Sequence, residues 1–192
     1  MNILDRKFEI CIYTQNVCQP KVLYMIFDRF STSFRDSLSG LYSEAYFAEV
    51  FQREWHRMQR EQDALSVIIV HPHLNIENLD DQLSFKLIAE TIEQCTKRAT
   101  DIVCRFQSNE IAIGLFNLNE VGTEVIIQRI FDNLDSALSE LVGNVDIAIG
   151  ALNVLPSNAI EINQIFEKTE ELTNIAEKKG KNAYELEYFQ IH

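Results

Sequence analysis

The chain has 192 residues, 46% of them apolar, with only six glycines and three prolines. That excludes a disordered, collagenous or linker-like protein and is ample for one buried core. Its 29 acidic and 17 basic side chains leave a net charge of −12, split as −1 over residues 1–63 and −11 over residues 64–192. General nucleic-acid binding is therefore disfavoured, and an anionic ligand is accommodated only where a few arginines reverse the local field. No apolar run approaches the roughly 18 residues of a membrane span. The first residues lack the basic-then-apolar pattern of a secretion signal. Four cysteines without CxxC spacing (Cys11, Cys18, Cys95 and Cys104) fit a reducing cytoplasm.

Residues 1–35 read as an N-terminal extension. Phe8, Ile10 and Ile12 alternate as in a strand, and Pro20 opens a helical stripe of Val22, Leu23, Met25, Ile26, Phe30 and Phe34. The extension is too short for a core of its own, so the stripe is expected to pack on the domain or on a second copy of the chain.

From Asp36 to residue 192, helices and strands alternate. Leu41, Ala45, Ala48, Phe51, Trp55 and Met58 trace a helical face, with Ser43 as N-cap and Phe47 and Trp55 as core. Leu65–Val70 is a buried strand. Leu83, Leu87, Ile88, Ile92 and Cys95 form the next helix, opened by Asp80 and Asp81. Ile102–Phe106 and Ile111–Leu115 are strands of a hairpin. Val121, Val125, Ile126, Ile130, Leu134, Leu138 and Leu141 mark a long helix, followed by a strand at Val145–Gly150. A last helix, Ile162 to Ala176, ends at the C-cap Gly180, and Ala183–Leu186 adds a final strand. This order predicts one α/β (α+β) domain, with helices flanking a central mixed sheet that contains an antiparallel hairpin.

Four stretches then point to a family. Asp36-Ser-Leu-Ser-Gly-Leu41 with Phe47 resembles the D-x-L-T-G-L…F opening of GGDEF domains, the diguanylate cyclase fold. Arg98-x-x-Asp101 followed by Arg105-Phe106-Gln-Ser-Asn-Glu-Ile111 is similar to the R-x-x-D…R-Y-G-G-D-E-F stretch with its signature eroded. Ala148-Ile-Gly150 resembles the S-I-G strand, and Ala176-Glu-Lys-Lys-Gly-Lys-Asn182 the closing A-K-x-x-G-R-N. Together they cover residues 36–186 and imply a single GGDEF-like domain in bacterial cyclic di-GMP signalling.

The departures bear on activity. The resemblance implies a Mg²⁺-binding carboxylate at the end of the first strand and another at the third letter of the signature; here those positions carry His71 and Asn109. Imidazole and amide are poor ligands for a hard cation. Gln107 and Ser108 stand for the two glycines of the hairpin, Glu110 alone remains of the carboxylate pair, and Glu177 replaces a phosphate-binding lysine while Lys181 keeps the other cation. The stretch from His71 to Gln82 is also short for the family's guanine-recognising residues. Phosphoryl transfer rests on metal positioning and charge neutralisation, so a pseudo-enzyme with no catalytic residue and no cofactor is expected; Mg²⁺ belongs only to an active cyclase.

What the resemblance retains is the inhibitory-type site for cyclic di-GMP: Arg98, Asp101 and, on the following helix, Arg129. Arginine forks can bond a guanine O6/N7 edge, and a carboxylate accepts from its N–H groups. Each residue also has a plain structural account: a cation at a helix C-terminus, an aspartate before a strand, an i,i+3 pair of Arg129 with Asp132. His71 and His73, two apart on a strand, share a face and invite a transition metal, although no third ligand is assignable. The expected function is a non-catalytic cyclic di-GMP receptor. The alternatives are a protein-interaction or dimerisation scaffold and an active diguanylate cyclase using two GTP.

Overall fold

The computed structural model describes residues 34–139 and 145–189. The extension's strand and most of its helical stripe, with Cys11, Cys18, Leu141 and His192, lie outside them. Helix α1 spans Glu44–Glu61, and the Ser43 hydroxyl accepts from the Tyr46 amide at 3.4 Å. Its buried stripe is Phe47, Phe51, Trp55 and Met58; Ala45 and Ala48, expected on that face, are exposed. Large rings four residues apart remove far more apolar surface from water than two methyls, and they set the helix's rotation.

Strand β1, Leu65–Pro72, is the middle of the sheet, and Leu65 to Val70 are fully buried. It pairs antiparallel with β3, Glu110–Phe116, on one side and with β4, Ile147–Val154, on the other. β2, Ile102–Phe106, forms the antiparallel hairpin with β3. β5, Ala183–Phe189, lies parallel to β4. The strand order β2-β3-β1-β4-β5 makes the expected mixed sheet. The last two strands start and end differently from the sequence pattern: β4 begins at Ile147, where the backbone N–H donates to the Asn182 side chain, and β5 continues to Phe189.

Helices α2 (Leu79–Cys95) and α3 (Glu120–Leu138) cover one face, and α1 and α4 (Ile162–Lys179) the other. Two expected helical faces hold at Ile88, Ile92 and Cys95 of α2 and at Ile130 and Leu134 of α3, and differ in their first turns. α2 is capped by Asn78 rather than opened at Asp80, and Leu83 is exposed while Phe85, Ile88, Ala89 and Ile92 are buried. On α3, Val121 and Val125 are exposed and Thr123, Ile127, Ile130 and Leu134 face the sheet. On α3 the Thr123 hydroxyl lies 2.5 Å from the buried Ser66 hydroxyl of β1 and ties that first turn to the sheet.

α4 approaches β4 most closely at Gly150. A Cβ there would fall on the backbone nitrogen of Thr173 and the carbonyl oxygen of Thr169, so only glycine admits this helix–strand distance. Tyr42 lies along the outer edge of β2, donating to the Val103 carbonyl at 3.2 Å and accepting from the Arg105 amide at 3.0 Å. No helix among the described residues is long and apolar enough to cross a membrane.

Candidate functional site

The sheet brings the residues singled out above to its two opposite ends. At one, the histidine end, β1 leaves the core at His71, one step beyond the Val70–Ile111 pair, and Glu110 opens β3 beside it. His71 Nδ1 lies 3.2 Å from Glu110 Oε1, and His73 Nδ1 3.5 Å from Glu177 Oε1 on α4. The two imidazole rings are 5.0 Å apart. The hydrogen bond to Glu110 raises the His71 pKa above its ordinary 6.5 against the opposing effect of burial, and the charges of Glu110 and Glu177 add to the rise.

The turn Gln107-Ser108-Asn109 joins β2 to β3. Gln107 adopts a left-handed φ of 50°, unusual for a residue with a Cβ. It is held from both neighbouring helices: its N–H donates to Glu44 at 3.2 Å and its side-chain amide to Glu170 at 3.0 Å. Arg105 clamps the turn by donating twice to the Ser108 carbonyl, and also to Asp36 at 3.0 Å. The Asp36 carboxyl is partly buried, which works against its charge, but the amide and hydroxyl of Ser39 and the Arg105 guanidinium outweigh this. They hold its pKa below 3.8. Burial, with the charge of Glu110 next, raises the Glu170 pKa. Lys181 sits 3.5 Å from Asp146.

This donor set does not fit Mg²⁺, the ion the resemblance attaches to this end. One carboxylate, Glu110, is already engaged by an imidazole, Asn109 offers an amide oxygen that accepts from Ser108, and Glu177 faces His73. A hard dication of this size asks for anionic oxygens in near-octahedral array. Nor do the two histidines converge on one carboxylate, and among the described residues no group of three or more His, Cys, Asp or Glu is arranged to hold a metal ion.

At the other end, the arginine end, α2 stops at Cys95 and the chain turns into β2. Arg98 and Asp101 close this turn on each other: the Arg98 N–H donates to Asp101 Oδ2 at 3.3 Å, and the Asp101 N–H to the Arg98 carbonyl at 3.1 Å. The exposed Arg98 guanidinium rests on the Asn117 carbonyl at 3.3 Å. Asp101 is half-buried; burial raises its carboxyl pKa despite Arg98, and its Oδ1 is shielded from water with no hydrogen-bond partner. Arg129 reaches across from α3 and donates to the Cys95 carbonyl at 3.2 Å, the last residue of the helix whose end Arg98 follows. The hydrogen bond Arg129 makes thus runs to α2, not to Asp132 on its own helix. Arg98 and Asp101 are in direct contact, and Arg129 meets the end of the preceding helix at Cys95.

Sequence reasoning missed the partners. Glu44, Glu170 and the carbonyls of Cys95 and Asn117 carry no spacing signal, because each meets its partner only through the tertiary fold. The glutamates of α4 divide. Glu171 pairs with Lys168 at 3.7 Å, whereas Glu170 and Glu177 turn to the histidine end.

A mixed five-stranded sheet between two helical layers, with a three-residue turn joining its β2–β3 hairpin, defines an α/β domain. The family model "Diguanylate cyclase, GGDEF domain" matches residues 33–183, and the chain belongs to the GGDEF family of cyclic di-GMP signalling. It is 25% identical over 163 residues to diguanylate cyclase DgcS of Shewanella oneidensis, a match covering 81% of this chain and 53% of that protein; the chain thus spans about half the length of this curated relative. Among solved structures it resembles the coiled coil and GGDEF domain of DgcB from Caulobacter crescentus in complex with c-di-GMP. The TM-score is 0.74 at 9% identity, covering 88% of this chain and 92% of that one. It also resembles diguanylate cyclase SiaD in complex with its activator SiaC from Pseudomonas aeruginosa, with a TM-score of 0.71 at 16% identity, covering 88% and 66%.

Proposed function

We propose that this GGDEF domain is a non-catalytic receptor for cyclic di-GMP, which it binds through Arg98, Asp101 and Arg129. The observation that carries the reading is the turn after α2. There an exposed arginine is hydrogen-bonded to an aspartate with a shielded, unpartnered oxygen, and a second arginine arrives from α3 at the same helix end. A guanine presents an O6/N7 acceptor edge and N–H donors, the complement of guanidinium and carboxylate. Two arginines supply the positive field that a chain of net charge −12 lacks elsewhere. A structural neighbour from Caulobacter crescentus is in complex with c-di-GMP.

The degeneracy of the histidine end supports the non-catalytic half of the reading. His71, Asn109 and Glu177 offer neither the anionic oxygens for Mg²⁺ nor a cation for a triphosphate. Residues 1–35 are proposed as an extension that self-associates through its apolar stripe, with residues 36–192 as the receptor domain.

Isothermal titration with cyclic di-GMP tests the first half: saturable heat and a rise in melting temperature are expected, and silence on both at high micromolar ligand overturns the receptor. Incubation with GTP and Mg²⁺ or Mn²⁺ tests the second: no cyclic di-GMP is expected. Turnover that survives repurification and is lost in Glu110→Ala would instead make the chain a cyclase. Light scattering of the full chain against a form beginning at Ser33 tests self-association, which predicts a dimer lost on truncation.

A further inference from the structure

The histidine end holds two imidazoles and two carboxylates that the receptor reading leaves without a task. Each imidazole meets a different element. His71, the next-to-last residue of β1, has Nδ1 3.2 Å from Glu110 at the start of β3; His73, just past the strand, has Nδ1 3.5 Å from Glu177 on α4. The Glu110 side chain is only 13% exposed, and its Oε2 is shielded from water without a hydrogen-bond partner. A carboxylate so nearly withdrawn from water is costly unless a positive group compensates it. The group in contact with it is an imidazole, neutral or charged according to pH.

We propose that His71 is the protonatable member of a clasp that ties β1 to the β2–β3 hairpin through Glu110, with His73 set against Glu177 of α4 beside it. The clasp is closed when the His71 imidazole carries a proton and slackened when it loses it.

The surroundings of His71 favour the charged form. Glu110 faces it from β3 and Glu177 from α4. Glu170 adds to the negative field around Glu110 from the same helix. From the head of β4, Asp146 lies opposite His73, its carbonyl accepting from the His73 amide at 3.0 Å, and its carboxylate carries Lys181 as partner. Burial opposes protonation of His71, but the hydrogen bond to Glu110 outweighs it and the pKa stands above 6.5. A folded-state pKa above the unfolded one means that the clasp contributes fully below about pH 6.5 and is lost as pH rises through the folded value.

The test is an NMR titration of the imidazole C–H resonances in the full chain, with thermal melting over the same range, about pH 5 to 9. His71 is expected to titrate above 6.5, and Glu110→Gln to bring its midpoint down. Glu177→Gln, at a side chain 41% exposed and so no threat to folding, should lower the midpoint by a smaller step. The melting temperatures of wild type and His71→Gln should differ most at the acidic end and converge as pH rises. A His71 midpoint at or below 6.5, a midpoint indifferent to both glutamate variants, or a melting gap constant across the range would overturn the clasp.

Discussion

The two ends of the sheet are fastened by opposite means. At the arginine end, β1, β4 and the start of α3 are joined by neutral groups out of contact with water. The fully buried Asn153 amide donates to Ser66 Oγ at 2.7 Å, to the Leu118 carbonyl at 2.9 Å and to the Leu65 carbonyl at 3.2 Å, and Ser66 meets Thr123. At the histidine end the fastenings are imidazole–carboxylate and guanidinium–carboxylate pairs that are partly wet, and His71 and Asp36 among them change charge with pH. Neutral buried hydrogen bonds hold one geometry at any pH, whereas ionic pairs hold it only over the window in which both partners are charged. The contrast places the proposed ligand turn of Arg98 and Asp101 beside the neutral fastening of β1 to β4, and the His71 rim at the other end.

The largest effect is expected where that contrast is broken from the arginine end. Asn153→Ala removes the amide whose two N–H groups serve Ser66, Leu118 and Leu65 and strands buried acceptors, which should cost about 3 kcal/mol; denaturant melts should show the same loss at acidic, neutral and basic pH. A loss that varied strongly with pH would erase the distinction between the ends.

Arg98→Ala separates ligand recognition from folding at that same end. Loss of a bidentate guanine contact should weaken cyclic di-GMP binding by about 1–3 kcal/mol. The melting temperature of the free protein should stay at the wild-type value, because the arginine is exposed. Titration calorimetry and a melt on the same sample check both halves.

Asp36→Asn sharpens the comparison from the other end. The Asp36 pKa is held below 3.8, so its stabilising contribution is present above about pH 3.8 and is lost as pH falls through the lower folded value. The variant should be less stable by about 1 kcal/mol at neutral pH, as for a partly exposed ion pair, and match wild type at the acid limit. Together with His71, whose contribution fades on the alkaline side, this makes the histidine end firmest in the mildly acidic range. Acid melts that leave the gap unchanged would count against the assignment.

Gln107→Gly has the smallest expected effect. Relief of the left-handed backbone is worth about 1 kcal/mol, and loss of the exposed side-chain bond to Glu170 offsets part of it. Thermal melts should place the variant within about 1 kcal/mol of wild type, and a large destabilisation would make the turn a structural clamp.

Much of the fold was legible in the chain. Periodicity gave the order of elements from α1 to β5, because buried strands of Val and Ile and amphipathic helices of ordinary length leave plain signals. It misread only the first turns of α2 and α3: Leu83, Val121 and Val125 have the right spacing, yet the sheet is met by Phe85 and Ile127, and on α3 the Thr123 hydroxyl turned to Ser66 carried no apolar signal. At the sites, Arg98 and Asp101 were legible together because they are three residues apart. The His71–Glu110 and His73–Glu177 contacts were not, since each joins residues that are neighbours only after the strands pair and α4 crosses back over the sheet.

The single residue Tyr42 on the outer edge of β2 has a consequence for how the protein behaves when crowded or stressed. A bare strand edge is a template for another chain, and here one edge is partly occupied from within. The remaining edge is β5, where Glu185 and Glu187 alternate along the strand, tied to Lys179 and Lys168 of α4. Charged side chains at every second position make in-register stacking of like strands repulsive. The sheet is therefore guarded on one flank by its own backbone and on the other by charge, and aggregation through edge growth should begin only after residues 34–42 peel away.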